Sequence, residues 1–148
     1  ELYHQGRLGQ KTGKGYYRYP EGSRQGLEDP AVEKLIAATR EQAGVTPRSF
    51  TDREIVDRYM AAMVNEAARI LDEGIARRPL DIDVVLVHGY GFPRWRGGPM
   101  HAADQRGLAS ILADIHRYAE EDDHFWRPAP LLTQLVEQDR QFDSLNHS

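Results

Sequence analysis

The chain has 148 residues, a formal net charge of −4 and no cysteine. The acidic balance argues against an extended nucleic-acid surface, which is normally basic, and the absence of cysteine excludes disulfides and thiolate metal sites. The apolar runs are too short to span a bilayer and no signal peptide is apparent, so we predict a cytoplasmic protein with no membrane span and no nucleic-acid partner.

The first 28 residues predict an extended arm followed by a linker. Gly13 and Gly15 oppose a stable helix, and Tyr16, Tyr17 and Tyr19 could pack an extended segment against a neighbour. A phosphate-binding loop is disfavoured because Arg18 stands where Gly-x-Gly-x-x-Gly needs its last glycine. We therefore assign residues 1–28 to an arm and linker that form the tail of a preceding repeat, and residues 29–148 to a helical domain.

Two helices are predicted in the first half of this domain. Asp29 can cap a helix that has Pro30 at its first position and ends near Gly44. Thr51 and Glu54 have capping-box spacing and open the strongest helix, over about 52–73, which Gly74 ends. Its apolar residues keep a 3.6-residue period and predict the central core helix: Ile55, Val56, Tyr59, Met60, Met63, Ala67, Ile70 and Leu71.

The stretch from Asp81 to Asp104 predicts a short helix, a rigid elbow and another helix. Asp81 can cap the first helix, with a buried face of Ile82, Val84, Val85 and Leu86. We define the elbow as residues 89–99. Its structural residues are those that allow positive φ, fix the backbone or begin a helix: Gly89, Gly91, Phe92, Pro93, Gly97, Gly98 and Pro99.

The remaining sequence predicts a helix over about 107–120 and a last helix that starts near Pro130. Leu131, Leu132, Leu135 and Val136 should face inward, and residues 140–148 should be frayed apart from Phe142. No alternation is long enough for a sheet. The sequence thus predicts an all-α fold, a small orthogonal helical bundle.

An ordered series of motifs carries a resemblance to a known family. It comprises Asn65-Glu66-Ala67, Leu71 to Ile75, Asp81-Ile82-Asp83, Gly89 to Pro93, Gly97-Gly98-Pro99 and Asp104. This series resembles the helical C-terminal domain of L-3-hydroxyacyl-CoA dehydrogenases, in particular the last such repeat of multifunctional fatty-acid β-oxidation enzymes. Gly6 to Tyr19 is similar to the tail that closes the preceding repeat.

The resemblance implies a parent enzyme that oxidises 3-hydroxyacyl-CoA with NAD. The dinucleotide-binding fold is absent from this sequence, so we predict no cofactor and no catalytic residue in this fragment, which alone should be inactive. The family's substrate-orienting Asn aligns with Asp57, which cannot donate through an amide. His124-Phe125-Trp126-Arg127-Pro128 mimics the family's catalytic-base motif, but in the wrong context. The implied role is a structural repeat that forms a pseudo-dimer with the preceding dehydrogenase domains of its own chain.

Several alternatives remain at the level of sequence. His88, His101 and Asp104 could suggest a metal site, although no ligand spacing supports it; the histidines could instead bond backbone carbonyls. Arg94, Trp95 and Arg96 are candidates for contact with a partner or with CoA phosphate. The chain could also be a docking module for an enzyme such as thiolase, or a free-standing helical protein. Exposed apolar surface would further favour a homodimer.

Overall fold

The computed structural model describes residues 1–147 and divides into two compact units, residues 1–49 and 50–148. Six α-helices and no strand occur in the described part, which confirms the all-α prediction. The helices are α1 (Pro30–Gln42), α2 (Asp52–Asp72), α3 (Pro79–Gly89), α4 (Pro99–Arg106), α5 (Leu108–Ala119) and α6 (Pro130–Glu137). None of the helices within residues 1–147 has the length and apolar character that a membrane span needs.

The first unit consists of the arm and α1. A short 3₁₀ turn at Gln10–Thr12 and isolated antiparallel bridges organise the arm. Asp29 caps α1 by accepting the Ala31 N–H at 3.1 Å, as predicted, and also binds the Arg7 guanidinium. Arg7 in turn donates to the Gly15 carbonyl at 3.0 Å. These bonds tie the cap of α1 to the arm, which explains why the structure divides after Ser49 rather than after residue 28.

The second unit has its core between α2, α4, α5 and α6. The buried cluster includes Val64, Met100, Ile111, Ile115, Tyr118, Leu132, Leu135 and Phe142. Trp126 completes it, with its ring centroid 4.9 Å from that of Tyr118. Leu132 and Leu135 face inward as predicted. The C-terminal segment is more ordered than expected, because a 3₁₀ helix at Phe142–Leu145 packs on α4 and fully buries Phe142.

The buried face of α2 differs from the prediction. Its core positions are Ala61, Val64, Asn65, Ala67 and Ala68, whereas Ile55, Val56 and Tyr59 are exposed. Small residues let α6, α4 and α5 approach the helix closely. Ala67 was predicted to be in this face, whereas Ala61 and Ala68 were not, because the predicted periodicity favoured larger apolar residues. Thr51 does cap α2, accepting the Glu54 N–H at 3.2 Å, and Gly74 follows its end with φ +70°.

The start and the exposed face of α3 also correct the prediction. The helix begins at Pro79 with Arg78 at its N-cap, so Asp81 lies in the first turn and pairs with Arg78 at 2.7 Å. Val84 and Val85 are exposed rather than buried. The helix is apolar around most of its circumference, which typifies a helix covered on more than one side.

Candidate functional site

The elbow between α3 and α4 is built on three glycines with positive φ. Gly91, Gly97 and Gly98 have φ of +74°, +75° and +121°, a region that side chains rarely adopt. The prediction for Gly91 is confirmed, whereas Gly89 is the last residue of α3 and its φ is not positive. Pro99 opens α4 as predicted, and buried Phe92 donates its N–H to the Leu86 carbonyl at 3.0 Å.

Asp83, which lies in α3, holds the elbow in place by binding the start of α4. This role was not predicted from the sequence. The buried carboxylate of Asp83 accepts the Met100 N–H at 2.7 Å and the His101 N–H at 3.1 Å. Asp83 therefore caps α4 from a neighbouring helix. Gly98, which occupies the N-cap position of α4, has no side chain with which to form this bond. Burial raises the pKa of Asp83, against the lowering effect of the two N–H donors. The Asp-Ile-Asp motif was visible in sequence, but only the fold shows that its second carboxylate is the cap.

Asp104 plays the same part for the C-terminal 3₁₀ helix. Its two oxygens accept the N–H groups of Phe142 and Asp143, each at 2.9 Å, and burial raises its pKa. The carboxylate that a metal site with His88 and His101 would require is therefore engaged in capping a helix. The side chains of His88 and His101 are exposed, and no cluster of three metal-ligating side chains exists among the described residues.

Asn65 closes the bundle from the middle of α2. Its amide donates to the Arg127 carbonyl at 2.9 Å and accepts the Ala129 N–H at 2.8 Å. The segment that mimics a catalytic-base motif is therefore the loop that leads into α6. Within it His124 is exposed, and Trp126 is buried in the core.

Two arginines hold the carboxylate of Asp57. The family resemblance aligns this position with a substrate-orienting Asn. Arg53 donates to one carboxylate oxygen at 2.9 Å, and Arg106 lies 3.4 Å from the other. Arg106 also binds Asp114, which pairs with Arg117 at 2.6 Å. A chain of alternating charges thus links α2, α4 and α5 at this position.

Arg58, the residue next to Asp57 in α2, does not pair with it. Arg58 turns away and pairs with Glu54 at 3.1 Å and Glu121 at 2.7 Å. Its guanidinium carbon lies 4.1 Å from the Tyr118 ring centroid, a cation–π distance. Neighbouring residues of a helix point in different directions, so adjacency in sequence did not produce a pair.

Two adjoining cavities lie between α2 and the elbow. The first, of about 590 Å³, is polar on one side, with Arg53, Asp57, His101 and Arg106. The second, of about 450 Å³, is mostly apolar, with Met63, Leu86 and Phe92. Four residues line both cavities: Val56, Met60, Trp95 and Arg96. Of the three predicted contact residues, Trp95 and Arg96 therefore belong to this surface, whereas Arg94 is exposed beside it.

Comparison with known proteins places this chain in a family. Residues 55–143 match the family described as 3-hydroxyacyl-CoA dehydrogenase, C-terminal domain. The chain belongs to this family. The matched range begins in α2 and ends in the C-terminal 3₁₀ helix, so it covers the core and both capping aspartates.

Curated relatives are similar over most of the chain. A peroxisomal bifunctional enzyme of Danio rerio is 45% identical over 135 residues, which are 89% of this chain and 19% of that protein. A fatty acid oxidation complex subunit alpha of a Psychrobacter species is 37% identical over 118 residues, which are 80% of this chain and 16% of that protein. The chain thus spans less than a fifth of the length of these relatives.

Two solved structures share the fold. The dehydrogenase part of multifunctional enzyme 1 from C. elegans aligns with a TM-score of 0.63 and 26% identity, over 90% of this chain and 31% of that one. The (S)-3-hydroxybutyryl-CoA dehydrogenase PaaH1 from Ralstonia eutropha aligns with a TM-score of 0.53 and 30% identity, over 76% of this chain and 40% of that one.

Proposed function

We propose that the chain is a structural, non-catalytic C-terminal repeat of an NAD-dependent 3-hydroxyacyl-CoA dehydrogenase of fatty-acid β-oxidation. Membership of the C-terminal domain family supports the dehydrogenase parent. Relatives named as a bifunctional enzyme and a fatty acid oxidation subunit support the pathway. NAD and acyl-CoA would bind elsewhere in the parent, which is expected to be several times longer than this chain.

The non-catalytic role is inferred from the chemistry and the partners of Asp57. An orienting group must offer a hydrogen-bond donor or acceptor to the substrate. The carboxylate of Asp57 has no N–H to donate, and both of its oxygens face arginines. A substrate oxygen placed against the Asp57 carboxylate would have to displace one of the two arginines that face it.

The outward face of α3 supports a role in packing within the parent. Leu80, Val84 and Val85 are each about half exposed, although α3 is a strongly apolar helix. An apolar face of this kind normally lies against another element. We infer that the preceding dehydrogenase domains of the same chain cover it and form the pseudo-dimer that the family resemblance implies.

An Asp57→Asn substitution tests the structural role in the full-length enzyme. Because Asp57 is engaged within this domain, kcat and KM for 3-hydroxyacyl-CoA should change by less than about twofold, a free-energy change below about 0.5 kcal/mol. The reverse change, Asn→Asp at the corresponding position of the preceding repeat, is the control and should lower kcat strongly. A large loss from Asp57→Asn would show that position 57 works at an active site.

Binding of NAD provides a second test on the 148-residue chain itself. Calorimetric titration should show no binding and no turnover above a blank, because the base and the dinucleotide fold are predicted to lie outside this sequence. Measured NAD affinity or dehydrogenase activity of this chain would contradict the proposal.

The other predicted partners and the compartment have separate tests. Retention of thiolase by the immobilised chain would favour the docking alternative, and a concentration-dependent sedimentation coefficient would support the homodimer. We keep the cytoplasm as the predicted compartment, although the Danio rerio relative is named peroxisomal. Imaging of the tagged full-length protein decides between the two.

A further inference from the structure

The two cavities beside the elbow have opposite character and share their walls. One presents Leu86, Met63 and Phe92, and the other presents Arg53, Arg106 and His101. Their volumes of about 450 and 590 Å³ each lie within the range of about 300–1,000 Å³ that small-molecule sites occupy. A ligand that filled both would need an apolar part joined to a polar part.

The local charge indicates the sign of the polar part. Residues 50–148 carry 17 acidic and 11 basic residues, so this unit is acidic as a whole. Arg53, Arg96 and Arg106 nevertheless converge on the polar cavity, where Asp57 is the one acid in its lining. A cationic cavity in an acidic unit favours an anion.

Arg96 is the arginine best placed to meet that anion. Arg53 and Arg106 are paired with Asp57, whereas Arg96 has no ion pair among the residues that the structure describes. Its guanidinium carbon lies 4.9 Å from the Trp95 ring centroid, which holds it at the junction of the two cavities. A stacked, half-buried guanidinium keeps its edge free for a bidentate contact with a carboxylate or phosphate.

The apolar cavity is built to accept a flexible chain. Met60 and Met63 are half-buried and line its α2 side. Methionine side chains adapt to irregular apolar partners because they are unbranched and polarizable. Trp95 is 81% exposed, so its ring can cover a chain that lies between α2 and the elbow.

We propose that this double cavity binds a single-chain anionic amphiphile, with the tail against Met60 and Met63 and the anionic head at Arg96. The head can be a carboxylate or a phosphate, because each can accept two parallel N–H bonds from one guanidinium. No residue of the site is required to react with the ligand, so the site is one of binding and not of turnover. It stands independently of the parent's dehydrogenase activity.

Tryptophan fluorescence of the 148-residue chain gives a direct test. The protein has two tryptophans; Trp126 is buried in the core, and Trp95 lines both cavities. Titration with dodecanoate below its micelle concentration should shift Trp95 emission to the blue and saturate at one ligand per chain. Dodecyl phosphate should do the same, whereas hexanoate should bind at least tenfold more weakly. Absence of a saturable shift, or a stoichiometry well above one, would overturn the proposal.

Dodecanol isolates the contribution of the head group. It has the same chain length and no charge, so it should bind about tenfold more weakly than dodecanoate. In Arg96→Gln the two ligands should bind alike, because the difference arises at the guanidinium. Arg94→Gln is the matched control, since it removes an exposed arginine from the same turn, and it should preserve the preference. Equal affinities in the unaltered chain, or an equal effect of the two substitutions, would refute a head-group site at Arg96.

A protein partner is the competing occupant, and the same signal distinguishes it. If the surface pairs with a second copy of this chain, Trp95 emission should shift with protein concentration in the absence of any amphiphile. We expect no such shift between about 1 and 100 μM, a range in which a weak apolar contact would begin to form. A concentration-dependent shift that dodecanoate cannot displace would overturn the amphiphile proposal.

Discussion

Gly98 is the residue of the elbow at which a side chain is least tolerated. Its φ of +121° is accompanied by close approach of a carboxylate, and a Cβ built there would lie 2.3 Å from both Cγ and Oδ1 of Asp83. The glycine is therefore needed twice, for its backbone conformation and for the space in which Asp83 caps α4. The sequence indicated the need for positive φ, and the fold adds the need for space beside the Asp83 carboxylate.

Gly98→Ala should accordingly lower the free energy of unfolding by roughly 3 kcal/mol or more, from backbone strain together with loss of the Asp83 hydrogen bonds. Gly107→Ala is the matched control. Gly107 has φ +93°, but a Cβ there meets no atom within 4 Å, so only the strain of about 1–3 kcal/mol applies. Urea denaturation of the two variants makes the comparison. Equal losses would show that contact with Asp83 is unimportant.

At the scale of elements, carboxylates join segments that are distant in sequence. Asp83 connects α3 to α4, Asp104 connects α4 to the C-terminal 3₁₀ helix, and Asp29 connects α1 to the arm. Asp29 differs from the other two in its electrostatics. Its pKa is lowered, first because Arg7 donates to the carboxylate and also because it accepts the Ala31 N–H, whereas burial raises the pKa of Asp83 and Asp104.

The arm should therefore detach from α1 in acid. A carboxyl whose folded pKa lies below its unfolded value of about 3.9 stabilises the fold above that value, and the contribution disappears as pH falls through the folded pKa. The Ala31 and Gly15 amide resonances should move together below about pH 4. In Asp29→Asn, which cannot titrate, these resonances should be independent of pH in that range. A wild-type arm unchanged down to pH 2 would contradict the prediction.

At the scale of the whole molecule, the hydrophobic core belongs to the second unit. Every residue of the buried cluster lies between Ala61 and Phe142, and residues 50–148 form a compact unit. The domain boundary predicted from sequence, at residue 29, includes α1. The two boundaries give different expectations for a shortened chain.

A chain of residues 50–148 should fold without α1. Its thermal unfolding should be cooperative, and the near-ultraviolet circular dichroism of the packed Tyr118 and Trp126 rings should be retained, since their contacts lie within this unit. Residues 29–148 serve as the comparison. If 29–148 melts cooperatively and 50–148 does not, α1 is part of the folding unit and the boundary at residue 29 is correct.

Local signals in the sequence were sufficient to determine several elements. Asp29-Pro30, Thr51-x-x-Glu54 and Pro99 place helix starts correctly because capping depends on residues within one turn. The ordered motifs from Asn65 to Asp104 also carried the family resemblance, and with it the all-α fold. These features need no knowledge of what each helix packs against.

Tertiary structure alone decided which faces are buried and which polar groups meet. Ile55, Val56 and Tyr59 have the period of a core face, yet α6, α4 and α5 pack on the alanine side of α2. Asp57 pairs with Arg106 across 49 positions of sequence rather than with its neighbour Arg58. Burial and long-range pairing depend on how helices are arranged in space, and periodicity within one helix does not contain that information.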